Sequence, residues 1–156
     1  MKLQFLKIAE NSFPDLLVMM ASFYAIDHYP FDRAKTEKNL SAFISDKTLG
    51  RAWIISCNEV TCGYLILTFG FSFEYNGKIG LIDEFYLKPE FRRMGIGKKT
   101  MDFIDAKAKE LDIKTVHLEV EKHNKGGTKL YKSKGYYYNG RILLSKGITP
   151  KTNPTS

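Results

Sequence analysis

Cysteine is nearly missing from this chain: Cys57 and Cys62 are the only two in 156 residues. Their separation fits no zinc-binding spacing, and they sit in a strand-like stretch. They read as two small buried hydrophobes, and no metal is expected. Long apolar runs are missing as well. No stretch approaches the eighteen or so residues that cross a bilayer, and the opening MKLQFLKIAENS has neither the apolar centre nor the cleavage pattern of a signal peptide. A cytoplasmic protein with no membrane partner is the expectation. No internal repeat or low-complexity linker divides the chain, and its length suits one domain. That domain is expected over 1–146, with a loosely held tail at 147–156 whose prolines and threonines follow no apolar period. Arg-rich tracts, helix-turn-helix patterns and zinc modules are also missing, which argues against nucleic acid as a partner.

Positive charge is present in excess, and it is unevenly spread. The formal net charge is +7, yet residues 1–87 hold 8 Lys or Arg against 10 Asp or Glu, whereas residues 88–156 hold 16 against 7. A basic second half suits a polyanionic ligand held there, with the first half contributing more of the site for a second reactant; a solvated cationic face is the alternative reading.

The stretch 82–97, IDEFYLKPEFRRMGIG, organises the rest. IDEFYL reads as a strand, Lys88-Pro89-Glu90 as a turn, and RRMGIG as the opening of a helix over 92–111. Its apolar positions continue through Ile96, Thr100, Phe103, Ile104, Ala108 and Leu111. A strand running through a glycine-bearing loop into a helix N-terminus makes an anion cradle, because the first-turn amides lack intrahelical acceptors and the aligned peptide dipoles favour negative charge. Glycines at 95 and 97 are expected to let a phosphate approach those amides. The dinucleotide series Gly-x-Gly-x-x-Gly is absent, and Gly97-Lys98 is followed by Lys99 rather than Ser or Thr, so neither a Rossmann nor a Walker site fits.

Arg92-x-x-Gly95-x-Gly97 resembles the acyl-CoA pyrophosphate signature of the GNAT family of N-acetyltransferases. A second block, EVEKHNKGGTKLYKSKGY at 119–136, resembles that family's later strand, its Asn, its helix with Leu-Tyr and its Gly-Tyr entry to the next strand. The two blocks stand in family order and cover about 80–145. The resemblance implies an α/β fold with a mixed central sheet, antiparallel early, splayed between its two central parallel strands and flanked by helices. It also implies acetyl-CoA as co-substrate and direct transfer of acetyl to a primary amine in a ternary complex. The acceptor is a small-molecule or peptide amine: a polyamine, an amino-acid side chain, an aminoglycoside-like compound, or a protein N-terminus or lysine. A polyamine or small-amine branch is suggested by the negative first half. A protein N-acetyltransferase and a non-catalytic acyl-CoA-binding or regulatory domain are the alternatives.

Earlier in the chain, Phe13–Ile26 reads as a helix with Ser12 as cap and Pro14 near its start, and Asp32 caps a second helix to about Ser45. In the family such a helix pair borders the acceptor site, so the resemblance makes His28, Tyr29 and Phe31 candidates for the acceptor wall, loop packing being the alternative. Ala52–Cys57 and Val60–Phe69 read as a hairpin around Asn58-Glu59, and Asn76-Gly77 turns the chain into the strand ending at Leu87. The aromatic stretch 69–75 suits either core or an interface. Thr115–Val120 alternates as a strand, Asn124–Lys134 reads as a helix despite Gly126-Gly127, and Asn139-Gly140 predicts a hairpin of 136–138 with 141–144. A homodimer is expected, since short members of the family often pair and the strands at 64–73 and 136–144 supply surplus apolar surface.

The resemblance also implies roles. Amides of Arg93, Met94, Gly95, Ile96, Gly97 and Lys98 would face the pyrophosphate, with Arg92 supporting the loop. Phe85 and Leu87 would offer backbone groups to the pantetheine arm. Asn124 matches the family's cofactor-contacting Asn, an N-cap role being compatible, and Gly127 stands where members usually have Ala, giving closer access to cofactor. Tyr131 matches the tyrosine that protonates the departing thiolate. Asp83 and Glu84 are adjacent in a strand and so are expected to face opposite sides. By resemblance to polyamine-type members, Glu84 is the better choice for holding the acceptor amine or relaying its proton, with Glu119 and His117 in reserve.

Overall fold

The apolar runs on either side of Asn58-Glu59 form the middle of one sheet because helices cover them on both faces. A computed structural model describes residues 1–149. In it β1 (Leu3–Lys7), β2 (Gly50–Cys57), β3 (Val60–Ser72), β4 (Gly77–Leu87) and β5 (Thr115–Leu118) lie side by side in chain order. The first four are mutually antiparallel, and β5 runs parallel to β4. Asn58 (φ 49°) and Glu59 (φ 67°) take the left-handed conformations that a two-residue hairpin turn requires.

On one face α1 (Phe13–Ile26) and α2 (Arg33–Ser45) pack Phe13, Leu16, Met20 and Leu40 against Ile54, Tyr64 and Ile66 of the sheet. On the other, α3 (Ile96–Glu110) and α4 (Lys125–Ser133) bring Ile96, Met101, Ile104 and Leu130 onto Trp53, Ile55, Leu65 and Leu67. Phe103 stacks on Phe5 at 3.9 Å between ring centres and takes the edge of Trp53 at 5.1 Å, tying α3 to the first two strands. Cys57 and Cys62 are buried and unbridged, and burial pushes the Cys62 thiol up to about 11.

Three local expectations are corrected. Asp32 caps α2 by accepting from the Lys35 amide, but Ser12 makes no cap bond to α1 and instead accepts from the Ala9 amide. The helix expected from 92 begins at Ile96: Pro89–Phe91 forms a short 3-10 turn, and Arg93 (φ 62°) and Gly95 (φ 79°) break the helical path before it. The hairpin expected around Asn139-Gly140 is not formed, and residues 136–149 carry no strand. A two-stranded hairpin is marginal unless a sheet or helix supports it, and β5 offers only four residues of edge. Residues 150–156 of the expected tail lie outside the described residues.

Candidate active site

A register shift opens the sheet. Ile66 faces Glu84 and Leu67 faces Ile82, so Asp83 is an extra residue bulged out of β4. On its other side β4 is paired with β5 only from Ile79 to Ile82, opposite Thr115 to Leu118. Beyond these points the two parallel strands part. The gap is a cleft of about 430 Å³, walled by the end of α1 on one side and by Leu118–Glu121, Asn124 and Tyr131 on the other. Asp83 and Glu84 both line it. The expectation that neighbours in a strand must face opposite sides fails here because the bulge breaks the alternation.

Glu84 is the buried acid of this cleft, only 8% exposed. Each of its carboxylate oxygens accepts one phenol: Tyr64 Oη donates to Oε1 at 2.7 Å and Tyr24 Oη to Oε2 at 3.1 Å. Burial pushes the Glu84 carboxyl up to about 7, helped by the charge of Asp83 and opposed by the two phenol hydrogen bonds. Burial likewise raises Asp83, which lies at the open side of the bulge. Both phenols are raised too, first by burial and then by the adjacent Glu84. A carboxyl that titrates near neutrality on the wall of a cleft can accept a proton at physiological pH.

Tyr131 faces the same cleft from α4, and burial holds its hydroxyl above the ordinary phenol range, so it is a neutral donor. The ring of Tyr136 meets its edge at 6.0 Å. Asn124 caps α4, its Oδ1 accepting from the Gly127 amide at 2.8 Å, and it also lines the cleft. A Cβ on Gly127 would lie 2.6 Å from the Asn124 side chain, so this glycine makes room for the cap.

Tyr29 reaches the site: its Oη donates to Glu121 at 2.6 Å across the cleft mouth. Phe31 packs its ring against Tyr24 at 5.5 Å, supporting the wall from behind, whereas His28 points to solvent with φ 59° and does not line the cleft. The His117 ring meets Tyr75 edge-on at 5.0 Å and does not line the cleft, whereas Glu119 does. Tyr24, Tyr64 and Asp27 were missed as site residues. The signal available was a phenol placed at an otherwise apolar helix or strand position, which a buried acid elsewhere in the chain can explain.

The anion cradle adjoins the cleft. Lys99 makes the first intrahelical bond of α3, to the Gly95 carbonyl, which leaves the amides of Ile96, Gly97 and Lys98 without helical acceptors. Gly95 supplies the positive φ, and a Cβ there would meet nothing within 4 Å, so its outer side is open. Gly97 also has a packing role. A Cβ there would lie 2.9 Å from Leu130 Cδ2, so its absence lets α3 and α4 approach each other. Arg92 folds back, its Nε donating to the Leu87 carbonyl at 2.9 Å, while Arg93, Met94 and Lys98 are exposed around the loop. The Lys88 amide bonds to Cys62 of β3. By strand alternation, the backbone of Leu87 and Phe85 therefore turns toward the side that β5 has vacated. An extended amide-bearing arm ending in a diphosphate fits this combination of free strand edge and open helix N-terminus.

The Acetyltransferase (GNAT) family model matches residues 15–136, which include the bulged strand, the cradle and Tyr131. The chain belongs to this family. None of the curated proteins matches it. An integron cassette protein from the mobile metagenome of Cole Harbour Salt Marsh is 26% identical, with a TM-score of 0.84 over 94% of this chain and 91% of that one. A possible acetyltransferase from Clostridium difficile 630 (17% identical, TM-score 0.82, 94% and 98% covered) has the same fold. So does a predicted acetyltransferase from Clostridium acetobutylicum, solved with acetyl-CoA (18%, 0.77, 93% and 96%). As a GNAT fold the chain is an acyltransferase scaffold with a mixed, splayed sheet. Among the described residues no helix is long and apolar enough to cross a membrane, and no metal-ligating cluster occurs.

Proposed function

We propose that this GNAT domain, over residues 1–146, transfers acetyl from acetyl-CoA to a primary amine in the cytoplasm and acts as a homodimer. The supporting observation is a buried acid poised near neutrality and a neutral phenol facing one cleft that opens beside an anion cradle. Acetyl-CoA when bound supplies an activated thioester carbonyl. The amides of Ile96, Gly97 and Lys98, with the open side of Gly95, hold its diphosphate, and exposed Arg93, Met94 and Lys98 border it. Arg92 fixes the loop through Leu87, and the backbone edges of Phe85 and Leu87 take the pantetheine arm.

Glu84 accepts the proton that the amine gives up as its nitrogen bonds to the carbonyl carbon. Tyr131 gives its proton to the sulfur as the C–S bond breaks. Tyr24 and Tyr64 keep the Glu84 carboxylate fixed. Asn124 sets the first turn of α4 and thereby the place of Tyr131. Acetyl-CoA is expected to raise the melting temperature by mass action and to give a calorimetric binding signal. Saturating primary amines should then release CoA thiol; no melting shift with no heat of binding would overturn the reading.

A further inference from the structure

Five of the chain's seventeen carboxylates line this one cleft, Asp27, Asp83, Glu84, Glu119 and Glu121, and among the described residues no Lys, Arg or His lines it, although the protein as a whole carries +7. Glu84 is spoken for by the reacting amine. Asp27, Glu119 and Glu121 stand apart from it at the mouth, where two contacts join the walls: Tyr29 Oη to Glu121 at 2.6 Å and His123 Nε2 to Asp27 at 2.6 Å. The apolar part of the lining is Phe23, Ile82, Phe85, Leu118 and Val120. The cleft thus combines the buried acid Glu84, an apolar share of its lining, and a second group of acids, Glu121, Asp27 and Glu119, whose charges converge on Tyr29. At about 430 Å³, the volume is at the small end for ligand sites.

We propose that the acceptor is a small acyclic diamine or polyamine, its distal ammonium held at the mouth by Asp27, Glu119 and Glu121 while its near amine reacts beside Glu84. This rests on the acetyl-transfer reading for the reacting end only. A methylene chain suits the apolar lining. A second cation fits acids that the transfer step does not use, and it would be drawn in by the local negative field against the sign of the whole protein. A monoamine of equal length gains nothing at the mouth, and a peptide lysine brings no second ammonium of its own.

The test compares 1,5-diaminopentane with n-pentylamine in thiol-release assays, alongside calorimetric titration of each into the CoA-bound protein. The diamine should have a kcat/KM about tenfold or more above the monoamine at low salt, an advantage that shrinks at 0.5 M NaCl. Glu119→Gln combined with Glu121→Gln should raise KM for the diamine until the two amines differ by no more than about twofold. Both positions are exposed and outside helices and strands, and an unchanged melting temperature verifies folding. Asp27→Asn is a second variant acting from the opposite wall, with the same expected direction. Equal kcat/KM for the two amines, or a diamine advantage that survives both sets of substitutions, would overturn the proposal. Diamine binding with no thiol release from any amine would uphold the cation site and overturn acetyl transfer. Thiol release with no diamine preference would do the reverse.

Discussion

At the scale of single residues, Glu84 sets the pH behaviour. Its carboxyl titrates at about 7 in the folded protein against an ordinary 4.5, chiefly because it is buried. Below about pH 4.5 it is protonated in folded and unfolded chains alike. As pH rises from there to about 7, the unfolded chain releases the proton that the folded chain keeps. Stability therefore falls across that window and levels off above it. Glu84→Gln removes the titration while retaining an oxygen acceptor. Its melting temperature relative to the parent should be more favourable at pH 8 than at pH 5, and an equal difference at both would show that the acid is not held protonated. The same substitution should abolish the rising limb of kcat/KM near pH 7 and lower the rate roughly 10²-fold. Tyr131→Phe removes one hydroxyl and little volume. The expected result is acetyl-CoA affinity within a few-fold of the parent and kcat lower by roughly 10²-fold. A near-normal kcat would mean that water protonates the thiolate and that the tyrosine only packs.

At the scale of elements, the two glycines of the cradle separate cleanly. Gly97→Ala pushes a methyl into Leu130, so it should cost about 1–3 kcal/mol of stability, and Leu130→Ala in the same chain should recover part of that loss. Gly95→Ala meets no atom but strains a left-handed residue, costing about 1–2 kcal/mol with no rescue from Leu130→Ala. Urea unfolding of the four variants decides between packing and phosphate access as the reason for Gly97; additive losses in the Gly97–Leu130 pair would rule out packing. This is where reading the sequence reached its limit. The spacing Arg92-x-x-Gly95-x-Gly97 pointed to the cradle, yet a glycine's missing Cβ can serve a ligand, a neighbouring helix or both, and the helix contact becomes visible only with the position of α4. The pairing of Asp83 and Glu84 was hidden for a similar reason. Strand alternation is a local rule, whereas the bulge at Asp83 depends on the register between β3 and β4, which no residue of β4 announces. The helices Phe13–Ile26 and Arg33–Ser45 were legible because their caps, proline and apolar positions are all local signals.

At the scale of the whole molecule, the open question is what the C-terminal segment does. Its Asn139-Gly140 turn and alternating apolar residues read as a hairpin, but strand formation needs a neighbouring edge as well as a suitable sequence, and that second requirement cannot be read from residues 136–144 alone. In the folded chain Tyr137, Ile142 and Leu144 are 80%, 81% and 88% exposed, and Arg141 ties the segment to Glu74 at 2.8 Å. Phe71 at the end of β3 and Phe73 in the β3–β4 connection, next to Glu74, are also exposed. So many exposed apolar side chains on two segments joined by the Arg141–Glu74 contact are unusual for a protein that works alone. The proposed homodimer would cover them by bringing the segments and the Phe71–Phe73 connection of two copies together. Light scattering at tens of micromolar should give a mass near twice 17.9 kDa. Ile142→Lys with Leu144→Lys should shift it toward the monomer while leaving the melting temperature of the sheet and helices within a few degrees, since neither side chain contributes to the core. A parent mass of 17.9 kDa at that concentration would reject the dimer. A dimer unaffected by the two lysines would place the interface elsewhere, on a surface that this exposed segment does not form.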